Sequence, residues 1–255
     1  MTMRIDLNCD MGEGFGVYTI GNDAELLPLV TSVNLACGFH AGDPRVIDRT
    51  VAMALRAGVA VGAHPGHWDL RGFGRRAIRA EPEEVENDVV YQVGALEAFA
   101  RSHRTRLVHV KPHGAIYNQA VEDAALARAL ARGIARVGRE LVFVGLATSH
   151  TMRRAAEEAG LRFAAEAFAD RGYAKDGTLL PRRLPGSVFH EPERAARQAV
   201  SIARDRCVIA ADGTRVALEA DTLCLHGDNP SAVGNARAVR EALAAAGVAV
   251  APLAR

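Results

Sequence analysis

Lysine is nearly absent: Lys111 and Lys175 are the only two among the 31 basic residues of this 255-residue chain, and arginine supplies the rest. Arginine stays protonated and binds through a planar fork, whereas lysine is a compact point charge whose pKa its surroundings can move. Lys111, inside a strand-like run, is singled out by that contrast. An excess of one charge is missing too, because 30 acidic residues leave a net charge of only +1. Neither nucleic acid nor an anionic membrane then has an electrostatic footing, and small-molecule chemistry is expected. No run approaches the roughly 18 apolar residues of a membrane span. The segment Met1-Thr2-Met3-Arg4-Ile5-Asp6 reaches an acid before a signal-peptide core can form, so a cytoplasmic location is expected. Cys9, Cys37, Cys207 and Cys224 are dispersed and form no CxxC pair, which argues against a zinc knuckle or a disulfide framework. Buried, unreactive thiols are expected instead.

What the chain does have is alternation. Short β-like runs at 4–10, 32–37, 59–63, 107–111, 141–146, 162–167 and 222–226 are separated by helical stretches at 44–57, 82–102, 120–137, 151–159, 192–203 and 231–246. Several of the helical stretches open on Pro, Asp, Ser or Thr and are followed by Gly. Such alternation calls for an α/β fold, a parallel sheet with crossover helices. Seven units, with a further short run at 248–250, suggest a closed or nearly closed barrel in one domain spanning 1–255. Ala211-Asp212-Gly213-Thr214 between two apolar runs reads as a hairpin inserted into this pattern.

In the first run Asp6, Asn8 and Asp10 alternate with Ile5, Leu7 and Cys9, and the period of two sends each set to its own face. On a barrel strand the polar face looks into the lumen, and acids near the C-terminal end mark an active site. The fourth run repeats the device, with His109, Lys111 and His113 opposite Val108, Val110 and Pro112. Three ionisable groups on one face are costly to bury for packing alone. Further polar residues end other runs: Asn34, His40 and Asp43; His64; Glu166 and Asp170-Arg171; His226-Gly227-Asp228. In a parallel barrel all these ends converge on one face. The loop Asp10-Met11-Gly12-Glu13-Gly14-Phe15-Gly16 fits neither common phosphate-loop pattern and reads equally as a tight turn. Gly72-Phe73-Gly74-Arg75-Arg76 offers two arginines, for an anion or for solvent.

Taken in order, several segments resemble the lactam-utilization (LamB/YcsF) family: Ile5 to Gly14, Ala36-Cys37-Gly38-Phe39-His40-Ala41-Gly42-Asp43, Gly62-Ala63-His64-Pro65, His109-Val110-Lys111-Pro112-His113-Gly114 with Tyr117-Asn118, Phe168-Ala169-Asp170-Arg171-Gly172-Tyr173, and Cys224-Leu225-His226-Gly227-Asp228. His67-Trp68-Asp69 and Ser187-Val188-Phe189-His190 depart from the family pattern. The resemblance implies a distorted seven-stranded β/α (TIM-like) barrel related to polysaccharide deacetylases. It also implies a part in ATP-dependent 5-oxoprolinase, where subunits B and C would be the partners and 5-oxo-L-proline is cleaved to L-glutamate as ATP becomes ADP and phosphate.

On that basis Lys111 is expected to supply positive charge, His113 or His64 to act as general acid/base, and Asp10 or Asp228 to orient the imidazole or a water. The expected substrate-binding set is Asp6, Asn8, Glu13, Asn34, His40, Asp43, Asn118, Glu166, Arg171 and His226. Within it Glu13 suits a bound cation, Asp43 loop positioning and Arg171 a substrate carboxylate. No metal ligand is assigned in this reading, although a divalent cation is compatible with it, and ATP is left to this chain or to a partner. Two alternatives stay open. One is a metal-dependent deacetylase or amidohydrolase using Asp10, His64, His113 or His226; the other is a non-catalytic lactam-binding subunit.

Overall fold

A computed structural model describes residues 3–253. Its strands are β1 (Met3–Met11), β2 (Ser32–Ala36), β3 (Ala60–His64), β4 (His109–Val110), β5 (Val142–Leu146), β6 (Arg162–Phe168), β7 (Cys207–Ile209), β8 (Arg215–Ala217), β9 (Thr222–His226) and β10 (Val248–Val250). Its α-helices are α1 (Asp23–Leu26), α2 (Pro44–Arg56), α3 (Pro82–Ser102), α4 (Gly114–Ala120), α5 (Ala124–Val137), α6 (His150–Glu158), α7 (Pro192–Asp205) and α8 (Ala232–Ala245).

Strands β1 to β6 pair in parallel in chain order, β9 joins β6, and β9 returns to β1 to close a seven-stranded barrel. β10 adds to β1 below the closure, with Met3 opposite Val248. β7 and β8 form the expected antiparallel hairpin. Ile5, Leu7, Cys9 and Met11 are buried in the main apolar core, so the period of two in β1 separates core from lumen. One close approach in the lumen dictates its residue: a Cβ on Gly62 would lie 2.1 Å from the His109 ring, so only glycine on β3 leaves room for that imidazole.

Local chemistry sets the element ends. Asp43 caps α2 by accepting from the backbone N–H of Arg45 and Val46, with Pro44 at the first helical position. A capping box between Glu81 and Glu84 opens α3. The helix expected at 120–137 begins later, at Ala124, because the Asp123 carboxylate caps the N–H of Ala125 and Leu126; the shorter α4 precedes it. α7 runs past 203 to Asp205 and ends on Arg206 in the left-handed region, φ 52°. The regular part of β4 is only two residues, yet the pairing with the β3 edge continues. Lys111 N–H donates to Ala63 O and His113 N–H to Pro65 O, and Pro112 sits at the alternate position where no N–H is needed. Among the described residues, no helix is long and apolar enough to cross a membrane.

Candidate active site

The lumen is filled in tiers. At the bottom the Asp6 carboxylate accepts from the hydroxyls of Thr31, Ser32 and Thr222 at 2.8, 2.7 and 2.5 Å. Burial raises its pKa, and those donors offset part of the rise. Above it Asn8 donates to Thr222 and Glu166, Asn34 donates to Asn8 and Asp10, and His109 Nε2 donates to Asn34 Oδ1 at 2.7 Å. Burial pulls the His109 pKa down to about 3, so this imidazole is neutral and structural. Asp6, Asn8 and Asn34, expected among the substrate contacts, form this buried plug and stand below the cavity. The alternation that gives the lumen face does not give depth along it.

The next tier holds Lys111, 2% exposed. Its Nζ lies 2.9 Å from Asp10 Oδ1, 2.9 Å from Glu166 Oε1 and 3.0 Å from Cys224 Sγ, with the Phe168 ring centroid at 5.3 Å. Burial alone would lower the ammonium pKa, but the Asp10 charge, with Cys224 and Glu166, outweighs it and holds it well above the ordinary lysine value. These acceptors hold Lys111 as a fixed cation.

At the top His64, His113, Glu13 and His40 gather. His64 Nε2 is 2.9 Å from His113 Nδ1 and 3.4 Å from Asp10 Oδ2. His40 stacks on His113 with centroids 3.7 Å apart, and neither of its ring nitrogens has a hydrogen-bond partner among the described residues. Gly74 makes that packing possible, since a Cβ there would come within 2.7 Å of the His113 ring. Across the mouth His226 donates from Nδ1 to Asp170 Oδ1 at 2.9 Å and stacks on Phe168. Burial raises the Asp170 pKa, but the His226 charge and hydrogen bonds outweigh it and hold the carboxyl below its ordinary value.

These tiers open into a cavity of about 480 Å³, within the usual range for small-molecule sites. Asp10, Glu13, His64, Lys111, His113 and His226 line it, as do Asp228, Asn118 and Arg171 at its edge. Arg171 is not free for a ligand carboxylate: its guanidinium donates to Ser187 O and Leu180 O and braces the loop after β6. Asn118 donates to Gly114 O within its own helix. Asp43 caps α2 and also accepts from Gly16 N–H, so it fixes the Glu13 loop from outside the cavity. His40 sits behind His113, away from the cavity wall. Glu166 is the floor partner of Lys111. Asp228 is held at 2.5 Å by Arg75, with Arg182 at 4.0 Å, so it organises two rim cations and touches no imidazole.

Arg182, Phe168 and Tyr117 are cavity residues that sequence reasoning did not assign to the site. Tyr117 and Phe168 lie in segments that carry the family resemblance, Arg182 in none, and the Gly72–Arg76 loop adds Arg75, which faces the cavity, whereas Arg76 pairs with Asp69.

The chain matches the LamB/YcsF family over residues 5–255. It belongs to that family. A Symbiobacterium thermophilum relative, named as the A subunit of 5-oxoprolinase, is 57% identical, the match covering 97% of this chain and 94% of the relative. A second of the same name, from Heliobacterium modesticaldum, is 54% identical, with 97% of each covered. The crystal structure of a lactam utilization protein from Thermus thermophilus superposes with a TM-score of 0.92 at 49% identity, covering 98% of this chain and 99% of that one. A deacetylase solved with substrate shares the barrel at a TM-score of 0.50 and 14% identity, covering 99% of this chain and 89% of that chain, a likeness of fold alone. Within this LamB/YcsF chain Glu13, His40, His64 and His113 offer ligand atoms all within 4.8 Å of one another, a set able to hold a divalent cation.

Proposed function

We propose that this chain is a lactam-opening subunit of an ATP-dependent 5-oxoprolinase, acting with subunits B and C to convert 5-oxo-L-proline to L-glutamate as ATP is hydrolysed to ADP and phosphate. The observation that carries the reading is the fixed Lys111 cation between Asp10 and Glu166, beside paired imidazoles at a cavity wall. It is found in a chain whose relatives, along nearly its whole length, are named as the A subunit of 5-oxoprolinase.

A five-membered lactam is a resonance-stabilised amide with little strain, so water attacks it slowly. Transfer of the γ-phosphoryl group to the amide oxygen makes the carbonyl carbon electrophilic; one water then adds and the C–N bond breaks as the ring nitrogen takes a proton, leaving an acyl phosphate, which a second water hydrolyses to glutamate and phosphate. Lys111 supplies the charge that the phosphoryl oxygens or the oxyanion need. The His64–His113 pair takes the proton from water and returns it to nitrogen, and Asp10 faces His64. The rim cations Arg75 and Arg182, clustered on Asp228, suit the substrate carboxylate or the nucleotide phosphates. ATP itself belongs either in this cavity or on a partner.

The test incubates this chain with 5-oxoproline and ATP, with and without the partner subunits, and follows glutamate and ADP. Glutamate formation that needs this chain and ATP is expected; formation without either refutes the reading. A second reading, amide hydrolysis assisted by a cation and without ATP, is favoured by the Glu13–His40–His64–His113 set. Turnover that survives omission of ATP and stops with a chelator decides for it.

A further inference from the structure

Backbone carbonyls only accept hydrogen bonds, and two of them fix the protons of the central imidazoles. His64 Nδ1 lies 2.7 Å from Lys111 O, and His113 Nε2 lies 2.8 Å from Phe73 O. Each of these nitrogens must carry the hydrogen. In a neutral imidazole the other nitrogen is then a bare lone pair. Those other nitrogens, His64 Nε2 and His113 Nδ1, face each other at 2.9 Å. Two lone pairs at that distance repel, so the site needs an electrophile there, either a proton or a metal cation.

The surroundings decide between them. Glu13 Oε1 lies 3.7 Å from His113 Nδ1 and 3.9 Å from His40 Nε2, and Asp10 Oδ2 lies 3.4 Å from His64 Nε2. Glu13 is 4% exposed, and among the described residues none is within hydrogen-bond distance of its carboxylate. A shared proton would satisfy the two imidazoles and leave the Glu13 carboxylate, at the cavity wall, facing His113 Nδ1 at 3.7 Å without a hydrogen bond to it. A divalent cation satisfies both imidazoles and Glu13, whose ligand atoms lie within 4.8 Å of one another. Ligand atoms about 2.0–2.2 Å from a tetrahedral zinc ion stand about 3.3 Å apart, and the observed 2.9, 3.4 and 3.7 Å bracket that spacing. Histidines that bind metals donate their second N–H to a carbonyl or carboxylate, as both do here.

We propose that His64 Nε2, His113 Nδ1 and the Glu13 carboxylate, with Asp10 alongside, form a site for one divalent transition-metal ion, Zn²⁺ or Mn²⁺, open to the cavity. Imidazole and carboxylate donors suit those ions. Bound there, the ion would supply Lewis acidity to a substrate oxygen. Proton and metal use the same two lone pairs, so a filled site converts the histidine pair from a proton carrier into ligands. The inference does not depend on the identity of the lactam, and its test reads bound metal without reading turnover.

The full chain, stripped with a chelator and dialysed, is titrated with ZnCl₂ and MnCl₂ by calorimetry, and with CoCl₂ by visible absorption. One equivalent should bind. His113→Ala and His64→Ala should lose roughly tenfold or more in affinity, while His103→Ala, at a surface pair with Asp48, should bind as the unaltered protein does. Where a histidine variant fails to fold, the isosteric Glu13→Gln takes its place with the same expected loss. The cobalt spectrum should show tetrahedral d–d bands without a thiolate charge-transfer band. The absence of saturable binding by all three ions overturns the proposal. So does undiminished binding by the folded variants. A thiolate band abolished by Cys224→Ser also overturns it, since that assigns the ion to the neighbouring Asp10, Cys224 and His226 group.

Discussion

Replacing Lys111 with Met is the obvious probe of the proposed chemistry, and a sequence-based expectation is that it abolishes turnover and spares the fold. The buried geometry gives it a second consequence. Methionine fills similar space but leaves the Asp10 and Glu166 carboxylates, 2.9 Å on either side of the former ammonium, with no cation between them. Removing one partner of a buried ion pair costs about 3–5 kcal/mol because the survivor stays charged and desolvated. Whole domains are stable by only about 5–15 kcal/mol. We therefore expect Lys111→Met to lower the urea midpoint at neutral pH substantially with little change in m-value. Adding Glu166→Gln removes one stranded charge, so the double variant should recover part of the loss, a coupling of about 0.5–3 kcal/mol. Urea unfolding followed by far-ultraviolet circular dichroism on the four proteins of the cycle measures both quantities. A Lys111→Met cost below about 1 kcal/mol, or the absence of coupling to Glu166, would show that water reaches this tier, and the picture of a dry fixed cation would fail. Turnover of the Met variant is informative only where the variant is shown to be folded.

Asp43→Ala should cost about 1 kcal/mol through loss of the α2 cap; backbone N–H groups of Gly16, Val46 and Arg45 hold its carboxyl below the ordinary range. A depressed folded pKa contributes above the unfolded value of about 3.9 and is lost as pH falls through the folded one, so the gap between wild type and variant should close below about pH 4 in thermal melts; a gap unchanged at pH 3 counts against the cap. Gly62→Ala should destabilise by about 1–3 kcal/mol, or prevent folding, because its methyl enters the His109 ring, and an unchanged Tm would contradict the lumen packing. The four free cysteines are buried, and burial pushes the Cys37 thiol up to about 12; Ellman's reagent should find no fast-reacting thiol until denaturant is added, and rapid labelling of the native protein would refute that.

Much of this architecture was legible because two strands carry their period of two without interruption. Asp6-Asn8-Asp10 and His109-Lys111-His113 announce a lumen face, and closure through β9 brings Asp10 opposite both Asn34 and His226. Height within the barrel was not legible, because it depends on how strands are staggered, and stagger leaves no mark on a single strand's pattern. Asp6, Asn8 and Asn34 consequently read like cavity residues and turned out to be the plug beneath it. Loop contributions were hidden for a related reason. Arg75 and Arg171 look alike in sequence, yet one meets Asp228 at the cavity and the other is spent on the carbonyls of Leu180 and Ser187. Only the path of the loop decides which.

The choice of lysine at position 111 has a physical reason in this geometry. At the floor, carboxylate oxygens from β1 and β6, a thiol from β9 and the Asn8 amide oxygen approach one point from different directions at 2.9–3.4 Å. An ammonium donates three bonds about a single nitrogen and can serve such a set, whereas the planar guanidinium fork spreads its donors over a wider plane. At the rim the demand reverses: Arg75 and Arg182 approach one carboxylate, Asp228, and a fork that matches flat oxyanions is the better tool. Lys111 thus stands where acceptors converge on a point, and the two carboxylates among them keep its ammonium charged. On the proposed function, the proton transfers of lactam opening then fall to the paired imidazoles of His64 and His113.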